Sequence, residues 1–311
     1  MSTPDSISAK EIIVSVVVLA IFVGAMIYTL TLFGKESVQT KAPISDIGDK
    51  SPTHIDADIK LVSIDANKGD LTARIEFDAS DNLKNEDETL KQDLKLFVNS
   101  ANGKQEIDFA KGKRMTPVEG VFNMAEGQAT EYPFDKYTAD IDINIARAKP
   151  LDKKKLETAT ATDSEHPAAK DESDEDEIPI GVDFFGSIAG FAIDGAKSKN
   201  SDIDFVTVNV NVQRSGTVKF FSMFVSVLMW ALAICVLLFV MSLVFRGRKI
   251  EIGMFSFLAA LLFAFYAVRN SQPNVPPIGV YSDFLSFFWA EVIIALCLLI
   301  AVFTWIFRTQ K

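Results

Sequence analysis

The chain has 311 residues, with 41 acidic against 31 basic side chains and a formal net charge of −10. That acidity argues against a nucleic-acid partner, whose phosphates need lysine and arginine. The two cysteines, Cys235 and Cys297, both fall inside apolar runs, which excludes a disulfide framework.

Residues 1–11 are expected to be a cytoplasmic N-terminus. The run 12–33 carries no charge and is long enough to cross a hydrocarbon core about 30 Å thick. Ser8 and Glu11 stand at capping-box spacing just before it. A cleaved signal peptide has a shorter apolar core, about 7–15 residues, ending in small residues. This run continues through Tyr28, Leu30, Leu32 and Phe33, so an uncleaved anchor helix is expected.

Residues 34–219 read as an extracytoplasmic β-domain. Ile59 and Leu61 alternate with polar neighbours, as do Leu71, Ala73, Ile75 and Phe77. The same period recurs at Leu94–Val98, Ile141–Ile145 and Val206–Val212. Period-two alternation marks half-buried strands. Turn chemistry separates them, as at Asn67–Asp70 and Asn102-Gly103. At least seven strands are expected, in a β-sandwich-like arrangement. Residues 151–177 break the pattern and end in a dense acidic run, which reads as a flexible acidic insertion. The run lacks the glycine and ligand spacing of a formed calcium loop. His54 and His166 have no metal-ligand spacing around them and are expected to be solvated. No cofactor or metal is expected. Ile178 to Ala196 is expected to return to the sandwich as an irregular strand pair.

Three further apolar runs follow, at 220–245, 252–268 and 284–307. The fold class expected is therefore membrane α plus all-β, with one N-terminal and three C-terminal transmembrane helices. The link 246–251 carries Arg246, Arg248 and Lys249, and the tail 308–311 carries Arg308 and Lys311. Basic short loops stay cytoplasmic. Both termini are then cytoplasmic, and the β-domain and the proline-rich loop 269–283 lie outside. The location expected is the plasma membrane, or the inner membrane of a Gram-negative cell. Glu291 lies seven residues past Phe284, about 10 Å along the last span. A carboxylate at that depth is a functional-site candidate. It either binds a proton or cation, or accepts a hydrogen bond from another helix. The Trp and Tyr residues near helix ends read as interfacial anchors.

Two stretches share an order with a known family. Tyr132-Pro-Phe-Asp-Lys-Tyr137, followed by alternating strand sequence, resembles the Pro-Phe-Asp signature of pentameric ligand-gated ion channels (Pro-loop receptors). Residues 268–283 resemble the loop after those channels' pore helix, and Arg214 stands where they place an arginine before the first helix. The resemblance implies a coupling interface of Pro133, Phe134, Asp135, Arg214, Pro273, Pro276, Pro277 and Tyr281. It also implies a pore helix at 252–268, with Glu251 and Ser256 at a candidate pore entrance and Glu251 as a charged ring there. Against that, only Ser256 and Tyr266 are polar within the helix, whereas a conducting pore needs polar or charged groups to replace ion hydration. The chain is also similar to a poorly characterised bacterial and fungal membrane-protein family of one helix, an outer domain and three helices.

No catalytic motif is present, neither Gly-x-Ser-x-Gly, a phosphate-cradling glycine loop nor His-Glu-x-x-His. The function expected is non-enzymatic: a homo-oligomeric, ligand-gated-channel-like receptor in the lipid bilayer. The alternative is a membrane-anchored scaffold or accessory subunit that binds a membrane-protein partner through its β-domain.

Overall fold

A computed structural model describes residues 9–36, 40–45, 51–103, 105–147, 177–199, 201–247 and 250–308. Ser8, His166, Arg248, Lys249, Lys311 and nearly all of the acidic insertion lie outside these residues. Helix α1 spans Ala9–Glu36. Strands follow as β1 (Thr40–Ser45), β2 (Ile55–Asp65), β3 (Asp70–Ala79), β4 (Leu94–Val98) and β5 (Glu106–Phe109). Then come β6 (Val118–Asn123), β7 (Lys136–Arg147), β8 (Ile180–Gly186), β9 (Phe191–Lys197) and β10 (Phe205–Arg214). The chain continues into α2 (Gly216–Arg246) and α3 (Ile252–Asn270), then a single π-turn (Asp283–Phe287) that leads into α4 (Phe288–Phe307).

The strands form two five-stranded sheets, ordered β1-β8-β2-β3-β6 and β5-β4-β7-β10-β9. Pairing is antiparallel except between β2 and β8, which run parallel. The alternation turns one face of each sheet inward. Ile59, Ile75, Leu96, Ile143 and Val208 are fully buried in one shared core. This is what the hydrophobic effect demands of two half-apolar sheets. The Asn67–Asp70 turn forms as expected, with Gly69 at φ 75° and the Asp65 carboxylate accepting from the amides of Asn67 and Lys68.

One expectation is corrected. The segment around Ile178 to Ala196 does give two strands, β8 and β9, but they do not pair with each other. They belong to different sheets, and the intervening loop crosses from one to the other. The crossing is tight. A Cβ on Gly195 in β9 would sit 2.5 Å from the ring of Phe184 in β8, so the opposed sheet leaves room there only for glycine.

All four helices are long and apolar enough to cross a membrane. α4 packs against both α2 and α3 around Met229, Ala233, Phe265, Ala290 and Ile294. α1 touches the rest near its C-terminal end, where the Tyr28 and Phe220 rings lie 5.0 Å apart. There the Glu36 carboxylate accepts a hydrogen bond of 2.7 Å from the Thr217 amide in the first turn of α2. At the opposite end Arg308 donates to the carbonyls of Leu243 and Val244, among the last of α2. The helices therefore share two levels. α1 ends, and α2 and α4 begin, at the sandwich; α2 and α4 finish at the far level.

Candidate functional site

The sandwich and the helices meet without a linker. Arg214 is the last residue of β10, and Ser215 caps α2, its side chain accepting from the Val218 amide. In the β7–β10 ladder Lys136 pairs with Gln213. The next step of that register sets Asp135 opposite Arg214, although they are 79 positions apart in sequence.

Arg214 and Asp135 form an ion pair of 2.9 Å with side chains 1% and 0% exposed. The Arg214 Nε donates to both carboxylate oxygens, and the Tyr137 hydroxyl donates to Oδ2 at 2.8 Å. An Arg214 Nη donates to the Asn274 carbonyl in the α3–α4 loop at 3.1 Å. The guanidinium lies 5.0 Å from the ring centre of Tyr132 and 4.7 Å from that of Phe191. Desolvating two charges is costly, and only dense hydrogen bonding of this kind offsets it. Burial raises the phenol of Tyr132 to about 12, with the nearby Arg214 pulling the other way. Tyr137 is also raised, first by burial and then by its hydrogen bond to Asp135.

Three loops converge here. The Tyr132 hydroxyl donates to the Pro273 carbonyl at 3.1 Å, and the Ser282 amide donates to the Tyr132 carbonyl. From the β8–β9 loop, the Gly190 carbonyl accepts from the Ser215 amide, and the Ala189 carbonyl accepts from the Asn274 side chain. Gly190 has φ 87°, and a Cβ there would lie 2.9 Å from the Asn274 amide nitrogen. The position therefore favours glycine for both conformation and space.

A second buried pair closes the α3–α4 loop. Arg269 and Asp283 meet fork to fork, each of two N–O distances being 2.7 Å. Asp283 also accepts from the amides of Gly279 and Val280. Beneath it the Ser222 hydroxyl donates to the Gln272 side chain at 2.7 Å, and Ser286 donates to Ser226 at 3.1 Å. This polar ladder links the loop to α2 and to the start of α4.

The structure gathers most of the residues singled out from the sequence. Pro133 is buried behind a cis Tyr132–Pro133 bond. Phe134 is 44% exposed and stands edge-on to Tyr281, with ring centres 6.4 Å apart. Pro273 contributes its carbonyl, Pro276 is buried and Pro277 is exposed. Glu251 and Ser256 are not part of this site. They are exposed at the end of α3 remote from the sandwich, and the Glu251 side chain does not cap its helix. Glu291 is half-buried on α4, and no side-chain hydrogen bond among the described residues reaches its carboxylate. The Trp230 indole donates to the Leu285 carbonyl at 3.0 Å. His54 is half-buried, its Nδ1 2.8 Å from the Ser51 carbonyl. Among the described residues no three His, Cys, Asp or Glu side chains gather at metal-binding distance.

Sequence reasoning missed the Arg269–Asp283 pair and the serine–glutamine ladder. A signal was present: opposite charges flanking a short proline-rich loop between two apolar runs.

The fold and the junction define a β-sandwich joined directly to a bundle of membrane-length helices. The chain belongs to the family described as domain of unknown function (DUF4436), which matches residues 45–214, more than half of its length. A second domain of unknown function (DUF8686) matches residues 214–308. The two matches meet at Arg214, the residue that ties the sheets to the loops. No curated protein matches the chain.

Proposed function

We propose that this is a non-enzymatic integral membrane protein in which the β-domain, placed outside the cell, is mechanically coupled to its helices, in the manner of a channel-like receptor. The observation that carries this reading is the buried Asp135–Arg214 pair. It holds the end of β10, the loop before β7 and the α3–α4 loop at one point. Movement of β7 against β10 therefore displaces the start of α2 and the loop between α3 and α4 together. Arg246 and Arg308 at the far level favour a cytoplasmic placement there, with both ends of the membrane region on that side.

A double-mutant cycle tests the coupling. Asp135→Asn and Arg214→Gln should each cost about 3–5 kcal/mol, because each leaves a buried charge unpaired. The double variant should recover a large part of that loss. The readouts are unfolding in nanodiscs and cysteine accessibility in the α3–α4 loop, at exposed Ile278. If the two losses simply add, and loop accessibility does not change, the junction is not a coupling element.

A second reading, a scaffold that docks a partner through its β-domain, is favoured by α3. Its exposed polar side chains within the span are Ser256 and Tyr266, which asks nothing of a hydrated pore. Repeated recovery of one membrane complex with the full chain in mild detergent would favour it.

A further inference from the structure

Beside the junction lies an open groove of about 660 Å³ lined by Thr130, Glu131, Phe134, Gly279, Tyr281 and Phe284. Its apolar lining is aromatic, with Phe134 and Tyr281 edge to face, and Phe284 is 61% exposed. Its polar side chains are Thr130 and Glu131, and Glu131 is the charged residue among the described residues that line it. Neither Phe134 nor Glu131 has a part in the buried ion pairs.

The place of the groove decides what fills it. Phe284 lies in the π-turn that leads into α4, and its ring stacks edge-on to Phe288 with centres 5.1 Å apart. That is the level at which the apolar span begins, where a bilayer passes from headgroups to acyl chains. A groove that joins Thr130 and Glu131, in the loop before β7, to Phe284 at the start of the apolar span matches an amphiphile lying across that boundary. The charge in the groove decides between headgroups. A carboxylate with no lysine or arginine among the described lining residues repels an anionic headgroup and attracts an ammonium. A primary ammonium also donates hydrogen bonds to the Glu131 carboxylate and the Thr130 hydroxyl oxygen, which a quaternary ammonium cannot do.

We propose that this groove is a binding site for an aminophospholipid, with its primary ammonium on Glu131 and its acyl chain against Phe134, Tyr281 and Phe284. The proposal needs only that the helices cross a bilayer, and stands whether or not the junction couples.

The full chain in nanodiscs containing equal parts of phosphatidylethanolamine, phosphatidylcholine and phosphatidylglycerol is released into the gas phase, and the retained lipids are counted by native mass spectrometry. Phosphatidylethanolamine should be enriched about tenfold over phosphatidylglycerol, as one charge-assisted hydrogen bond supplies, with phosphatidylcholine between them. Glu131 is exposed, so Glu131→Lys should fold normally and reverse the order toward phosphatidylglycerol. Phe134→Ser should lower retention of all three. Equal retention of the three lipids, or an order unchanged by Glu131→Lys, overturns the proposal. So does a lipid-free groove that cross-links through Tyr281 to a second copy of the chain.

Discussion

Tyr132 and Tyr137 give the junction its sensitivity to pH. Both phenols are raised by burial, Tyr132 to about 12, and Tyr137 also donates to Asp135. In the unfolded chain a tyrosine ionises near 10. Above that pH the unfolded state releases protons that the folded state still holds, so stability falls as pH rises. Thermal unfolding should be insensitive to these groups below about pH 9 and should decline between about 10 and 12. Tyr137→Phe should soften that decline while lowering stability at neutral pH, since Asp135 loses one donor. A variant with the same alkaline decline as the parent would remove Tyr137 from the account. Asp135 and Arg214 were legible in the sequence through the resemblance to Pro-loop receptors, which share the order of signature, arginine and helices. The tyrosines flank the same signature, but the hydrogen bonds they donate depend on where each hydroxyl points.

At the scale of elements, α2, α3 and α4 are held along their sides by a shared core, whereas α1 is held near its end. The described side chains of α1 are largely exposed, and its attachment is concentrated at Tyr28, Leu32 and Glu36. A carboxylate on the first amides of a helix also interacts favourably with its dipole. Glu36→Ala should cost about 1 kcal/mol, as loss of a cap does. It should also free α1 from α2. Spin labels at exposed Leu19 and Leu238 should then give a broader distance distribution, and an unchanged distribution would mean that Glu36 does not hold the anchor. The strands teach a related lesson. The segment Ile178 to Ala196 was read as an irregular strand pair returning to the sandwich, and that reading did not give the sheet to which β8 and β9 each belong. Period two reports which side of a strand is apolar and carries no information about its neighbour.

For the whole molecule, the exposed side of α3 suits contact with another helix. Gly253, Ser256, Ala260, Ala264 and Ala267 recur at spacings of three and four and are all exposed. Small residues on one face let helices approach closely within lipid. The mass of the nanodisc-embedded complex tests this. A closed pentamer, about five times 34.3 kDa, is expected if the channel-like build is right, and would justify conductance recordings. A chain that stays monomeric in bilayer and detergent alike would make the scaffold the leading reading.

The sequence by itself determined the β-domain and the four apolar spans. Those features follow from local periodicity, run length and charge, which need no knowledge of neighbours. Only the tertiary structure decided how the ten described strands divide into two sheets, that Arg269 meets Asp283, and that three loops close on Arg214. A buried ion pair is stable only when both partners, and the donors around them, arrive at one place. Chain positions 79 apart meet there because the β7–β10 register brings them opposite each other, and no window of sequence contains both.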